Sequence, residues 1–111
     1  MGSLGEFGPI SDKKDFNEIY KLAKKWHCDV AVVYFLENTN KRLAVITGKK
    51  IGNAVVRNHS RRVIKSIFYS LRNEISCGEY IFIVKSKISQ TNFSQIEKSL
   101  KWALKRLGAI K

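Results

Sequence analysis

Acidic residues are scarce in this chain. Nine Asp and Glu stand against 21 Lys and Arg, giving a formal net charge of +12 and a pI near 10.0. The acids are spread thinly, with no cluster able to hold a catalytic Mg²⁺. Histidine is nearly absent: His27 and His59 have no carboxylate neighbours in sequence, and His59 sits in a basic run that disfavours its charged form. Cys28 and Cys77 lie far apart and outside any Cys-x-x-Cys spacing. That argues against a zinc site and a disulfide framework, and for reduced thiols of a cytoplasmic protein. No apolar run approaches the ~18 residues of a membrane span, and no charged start followed by an apolar stretch marks a secretion signal. The sequence thus offers no metal site and no protein active site. The uncompensated positive charge points to a polyanionic partner: RNA, DNA or an anionic membrane surface.

At 111 residues the chain suits one domain with one core. Residues 1–10 hold three glycines and the only proline but no basic residue. They read as a tag-like or disordered lead-in to a single domain over 11–111. Ser11 or Asp12 can cap a first helix reaching to about Lys25, with Phe16, Ile19, Tyr20, Ala23 and Trp26 at helical spacing. Aromatic residues four apart, as Phe16 and Tyr20 are, ordinarily pack into a core. Residues 30–36 form a strand, and Asn38-Thr39-Asn40 a turn with a hairpin return into a strand over 43–47. Residues 80–84 are a continuous apolar strand suited to the centre of a sheet. A last helix starts at Thr91 or Asn92, presents Phe93, Ile96, Leu100, Ala103, Leu104 and Leu107 to the core, and stops at Gly108. The order helix, strand, strand, helix, strand, helix predicts an α+β sandwich, one sheet with helices mainly on one face.

The most informative stretch lies between residues 38 and 73, which contains nine basic residues and no acid. Stepped at 100° per residue, 53–75 places Val56, Val63, Ile64, Ile67, Leu71 and Ile75 on one side. Arg61, Arg62, Lys65 and Arg72 fall opposite with Asn58, and Arg57 lies at the border. A solvated face usually mixes both signs, because like charges four apart oppose the helix. A face with positive charge alone fits a nucleic-acid contact.

Within that stretch, Lys50, Gly52, Ala54-Val55, Arg57-Asn58 and Arg61-Arg62 resemble the signature of the bacterial ribonuclease P protein subunit. The likeness extends from about Asp15 to Leu107. There are departures. His59 stands where that family usually has another basic residue, and Lys65 where it often has Arg, so Lys65 lacks a bidentate phosphate fork. Residues 1–10 lack the arginine-rich segment usual there. The resemblance implies a ribosomal S5 domain 2-like fold with one mixed sheet and a left-handed βαβ crossover. It also implies a function in assisting Mg²⁺-dependent removal of the 5′ leader from precursor tRNA, with the Mg²⁺ and the catalytic centre mainly in the RNA subunit and one protein per catalytic RNA. By position, it implies RNA contacts at Lys49, Lys50, Asn53, Arg57, Asn58, Arg61, Arg62 and Lys65. A leader cleft would be lined by Phe16, Tyr20 and Tyr34, whose rings are stacking platforms for unpaired bases. A general RNA-binding or ribosome-associated protein, and a stand-alone nuclease, are the alternatives.

Overall fold

A computed structural model describes residues 7–110. Its elements are β1 (Gly8–Pro9), α1 (Lys13–Leu22), β2 (Lys24–His27), β3 (Ala31–Glu37), β4 (Arg42–Ile46), α2 (Ala54–Ser70), β5 (Gly78–Val84) and α3 (Phe93–Arg106). Short 3-10 turns at Lys49–Ile51 and Ser86–Gln90 precede α2 and α3. The three helices begin on side-chain caps: Asp12, Asn53 and Asn92 each accept from a backbone N–H two or three residues on.

The five strands form one mixed sheet in the order β1-β4-β5-β3-β2. The α+β architecture expected from the sequence is present, with α2 and α3 on one face and α1 on the other. The hairpin expected between residues 30–36 and 43–47 is absent, although Asn38 does make a local turn by accepting from the Asn40 N–H. β5 lies between those strands, antiparallel to β3 and parallel to β4. Its apolar run supplies side chains buried on both faces, which suits only a central strand.

Alternation sorts the core. Ala31, Val33, Phe35, Leu43, Tyr80 and Phe82 face α2 and α3. There Phe68 lies edge-on to Tyr80 and Phe82 at 5.0 and 5.8 Å. Tyr34, Leu36, Ala44, Ile46, Ile81 and Ile83 face α1 and its Phe16, Ile19 and Ala23.

Several local expectations are corrected. The first helix ends at Leu22 rather than near Lys25, because residues 24–27 pair with the open edge of β3, Trp26 opposite Val33. Trp26 therefore packs with the α3-side core, not on α1. The basic helix ends at Ser70, and Ile75 instead bridges to Ile110. Phe93 is 51% exposed and lines an open depression with Val55 and Val56 of α2 rather than the core. Residues 7–10, expected in a disordered lead-in, join the sheet: β1 runs parallel to β4, Ile10 is buried, and the Phe7 ring meets Phe68 at 5.0 Å. The same expectation for residues 1–6 lies outside the described residues.

Candidate RNA interface

The signature stretch begins where β4 ends. Gly48 leads into the 3-10 turn that carries Lys49 and Lys50, both exposed, and Gly52 follows at φ 142°. That backbone suits glycine, and a Cβ there would crowd Val56 at 3.1 Å. Asn53 then caps α2 by accepting from the Val56 N–H at 3.0 Å. Its side chain is therefore committed to the helix, and any RNA contact by Asn53 adds to a structural duty.

Along α2, Asn58, Arg62 and Lys65 are exposed, while Arg57 and Arg61 are half-buried. Arg61 donates to the Thr47 hydroxyl at 2.7 Å and to the Asn58 side-chain oxygen. Lys49, Lys50, Arg57, Arg62 and Lys65 have no carboxylate partner among the described residues. The charge of this face is thus uncompensated within the fold.

On the opposite sheet face the three rings assigned to a cleft come together. Phe16 and Tyr20, one turn apart on α1, have centroids 6.1 Å apart, and Tyr20 meets Tyr34 edge-on at 5.0 Å. Phe16 and Tyr34 are half-buried and Tyr20 is 36% exposed. Partial burial, then the neighbouring Tyr34, push the Tyr20 phenol above its usual range. It stays a neutral hydrogen-bond donor near pH 7.

The floor beneath these rings continues through Ile46 and Ile83. A depression of about 700 Å³ opens there at the ends of β4 and β5, with Lys49, Lys50 and Lys85 among its lining residues. Lys85 also donates to the Cys28 carbonyl at 2.8 Å. Ile46 and Ile83 thus share a sheet face with the three rings and also border the lysine turn, which leads into α2.

A polar clamp missed in the sequence ties α1 to the sheet. In register, Leu36, Glu79 and Arg42 lie side by side across β3, β5 and β4. Arg42 donates to the buried Glu79 and, at 2.7 Å, to Asp15 on α1. Asn38 donates to the other Glu79 oxygen at 3.2 Å. The hydrogen bond to Asp15, and then Glu79, hold the Arg42 pKa above its usual value. No sequence signal marks this triad, because its members lie on three elements.

Among the described residues no three His, Cys, Asp or Glu side chains gather as a metal site. No helix among them is long and apolar enough to cross a membrane.

Fold and surfaces together define a small cationic α+β protein with an aromatic cluster on one sheet face and a basic helix on the other. The chain belongs to the ribonuclease P protein family, whose model matches residues 7–108. It is 31% identical over 103 residues to the ribonuclease P protein component of Streptococcus agalactiae serotype III, covering 91% of this chain and 94% of that one. With the protein component of a Nitratiruptor species the identity is 28% over 98 residues, covering 88% and 90%. The fold matches the RNase P protein of Staphylococcus aureus with a TM-score of 0.83 at 30% identity, covering 93% of this chain and 97% of that one. It matches that of Thermotoga maritima with a TM-score of 0.77 at 26% identity, covering 88% and 96%. The family is the protein component, of bacterial type, of a ribonucleoprotein endoribonuclease that partners an RNA subunit in tRNA processing.

Proposed function

We propose that this chain binds the catalytic RNA of ribonuclease P, one protein per RNA, and receives the 5′ leader of precursor tRNA in the α1–sheet cleft. The observation that supports this reading is the gathering of Phe16, Tyr20 and Tyr34 on the sheet face whose Ile46 and Ile83 also line the depression beside Lys49 and Lys50. Unpaired leader bases would stack against the rings, each worth ~1–3 kcal/mol. Lys49, Lys50, Arg57, Arg61, Arg62 and Lys65, with the amides of Asn53 and Asn58, would meet phosphates of the catalytic RNA, arginine as a fork and lysine as a point charge.

Hydrolysis belongs to the RNA subunit, where Mg²⁺ would activate water and stabilise the leaving oxygen. Among the described residues no acids gather as a Mg²⁺ site, so no step is assigned to an ion held by protein. Its contribution is positioning and charge neutralisation, which lowers the Mg²⁺ the complex needs. The setting would be the cytoplasm, where precursor tRNA is made. The decisive assay is cleavage of precursor tRNA by the catalytic RNA at low Mg²⁺, with and without the protein. Cleavage should rise with protein, and protein alone should cut nothing. Equal cleavage with and without it would overturn the reading.

A further inference from the structure

A second aromatic and cationic surface lies at the sheet edge formed by β2, away from the α1 cleft. Between β2, the Ser86–Gln90 turn and α3 there is a groove of about 750 Å³ whose walls include Trp26 and Trp102. Trp102 is 57% exposed. The Arg106 guanidinium lies 4.9 Å from the Trp26 ring centre and 5.7 Å from that of Trp102, so one cation is held beside both indoles. Arg106 has no carboxylate partner among the described residues. Lys87 and Lys98 also line the groove, and Asp29 is the one acid there. Gln90, Gln95 and Ser99 supply neutral donors and acceptors.

The half-exposed indole of Trp102 keeps ring surface open to a further partner beside the Arg106 cation. The charge decides what would cover it. Three cations against one acid repel a basic partner and attract an anionic one, and exposed rings beside cations match a base with its phosphate. We propose that this groove binds an unpaired nucleotide of an RNA strand, as a contact separate from both α2 and the leader cleft. Trp102 would stack on the base, Arg106 and Lys98 would neutralise the phosphates, and the glutamines would meet the base edge.

The chain itself provides the probe. It has two tryptophans and both line this groove, so tryptophan emission reports on it alone. The full chain is titrated with oligoadenylate hexamer in low salt. Tryptophan emission is read in one series, and the anisotropy of an end-labelled hexamer in another. Emission should quench saturably as anisotropy rises. Lys98→Glu should shift the quenching midpoint roughly 3- to 10-fold to higher RNA, and Trp102→Leu should weaken groove binding by a similar factor, as expected for one lost contact or stacked base. Both positions are exposed, and circular dichroism verifies folding of each variant. Arg62→Ala on α2 should leave the quenching midpoint in place. Anisotropy that rises with unchanged emission would empty the groove of RNA while leaving the α2 surface intact. Equal quenching by polyglutamate that also saturates would assign the groove to an acidic protein segment and overturn the proposal. Absence of both signals would overturn the proposal and leave the α2 reading to the cleavage assay.

Discussion

Arg61 donates to Thr47 and to Asn58, so its guanidinium is partly fixed before any RNA arrives. Arg62 and Lys65 are exposed and free to rotate. A pre-positioned fork loses less conformational freedom on binding. Arg61→Ala should therefore weaken binding of the catalytic RNA by ~1.5–3 kcal/mol, and Arg62→Ala by less, read by filter binding with circular dichroism as the folding control. Arg61→Lys should fail to restore affinity. Equal losses for Arg61 and Arg62 would reduce the surface to net charge. Phe16 tests the cleft at the same scale. It is only half-buried, so Phe16→Ala should cost ~1–2 kcal/mol of stability, below the ~3–5 of a sealed Phe. It should weaken precursor tRNA with a long leader and spare mature tRNA. A large drop in melting temperature with no leader-specific effect would make Phe16 a core residue. The signature residues were legible because helical spacing gathers them from one continuous stretch. Trp26 was not, because residues 24–27 continue the helical pattern and only the unpaired edge of β3 draws them into the sheet.

At the scale of elements, the Arg42 clamp ties α1 to the sheet and so fixes how far the Phe16 and Tyr20 wall stands from Tyr34. Removing Arg42 leaves the carboxylate of Glu79, 2% exposed, with Asn38 as its one side-chain partner among the described residues. Arg42→Ala should cost ~3 kcal/mol of stability in denaturant unfolding and lower leader-dependent affinity as well. A stability loss without that second effect would show that α1 keeps its place on packing alone. Gly78, the first residue of β5, packs against β3: a Cβ there would lie 2.6 Å from the Leu36 carbonyl oxygen and 2.7 Å from the Phe35 ring. Gly78→Ala should destabilise by ~1–3 kcal/mol through forced displacement of that strand. A melting temperature unchanged by the alanine would mean that β3 yields freely there. The helices were readable because caps and 3.6-residue spacing are local signals. The parallel crossover from β4 through α2 to β5 was expected, but the insertion of β5 beside β3 was not, because nothing in residues 38–47 says that a later strand will occupy that place.

For the whole molecule, the charge of +12 predicts steep salt dependence. If ~5 cations meet phosphates, log K for the catalytic RNA should fall against log salt with a slope of roughly −3 to −5. A slope near zero would remove the electrostatic account. The fold class was legible from element order and from the doubly buried run of β5. The separation of surfaces was not. Which helix lies on which face depends on the register of strands distant in sequence, and the β2–α3 groove exists only after those strands have paired.

That strand order also has a consequence in time. β3 and β4 are finished by Ile46, yet they do not touch as a pair, and β5 joins them only once Val84 has been made. While the chain grows on the ribosome, two strand edges wait without a partner for roughly 2–8 s at ordinary synthesis rates of ~5–20 residues per second, and the apolar side of α2 for roughly 1–3 s. The long sequence separations within the sheet also make its assembly slow relative to a helical bundle of this size. A nascent chain stalled before β5 should be open to protease throughout 31–76, and one stalled well past Val84 should resist. The basic helix that marks this family in sequence is thus complete before the central strand of the sheet it packs on.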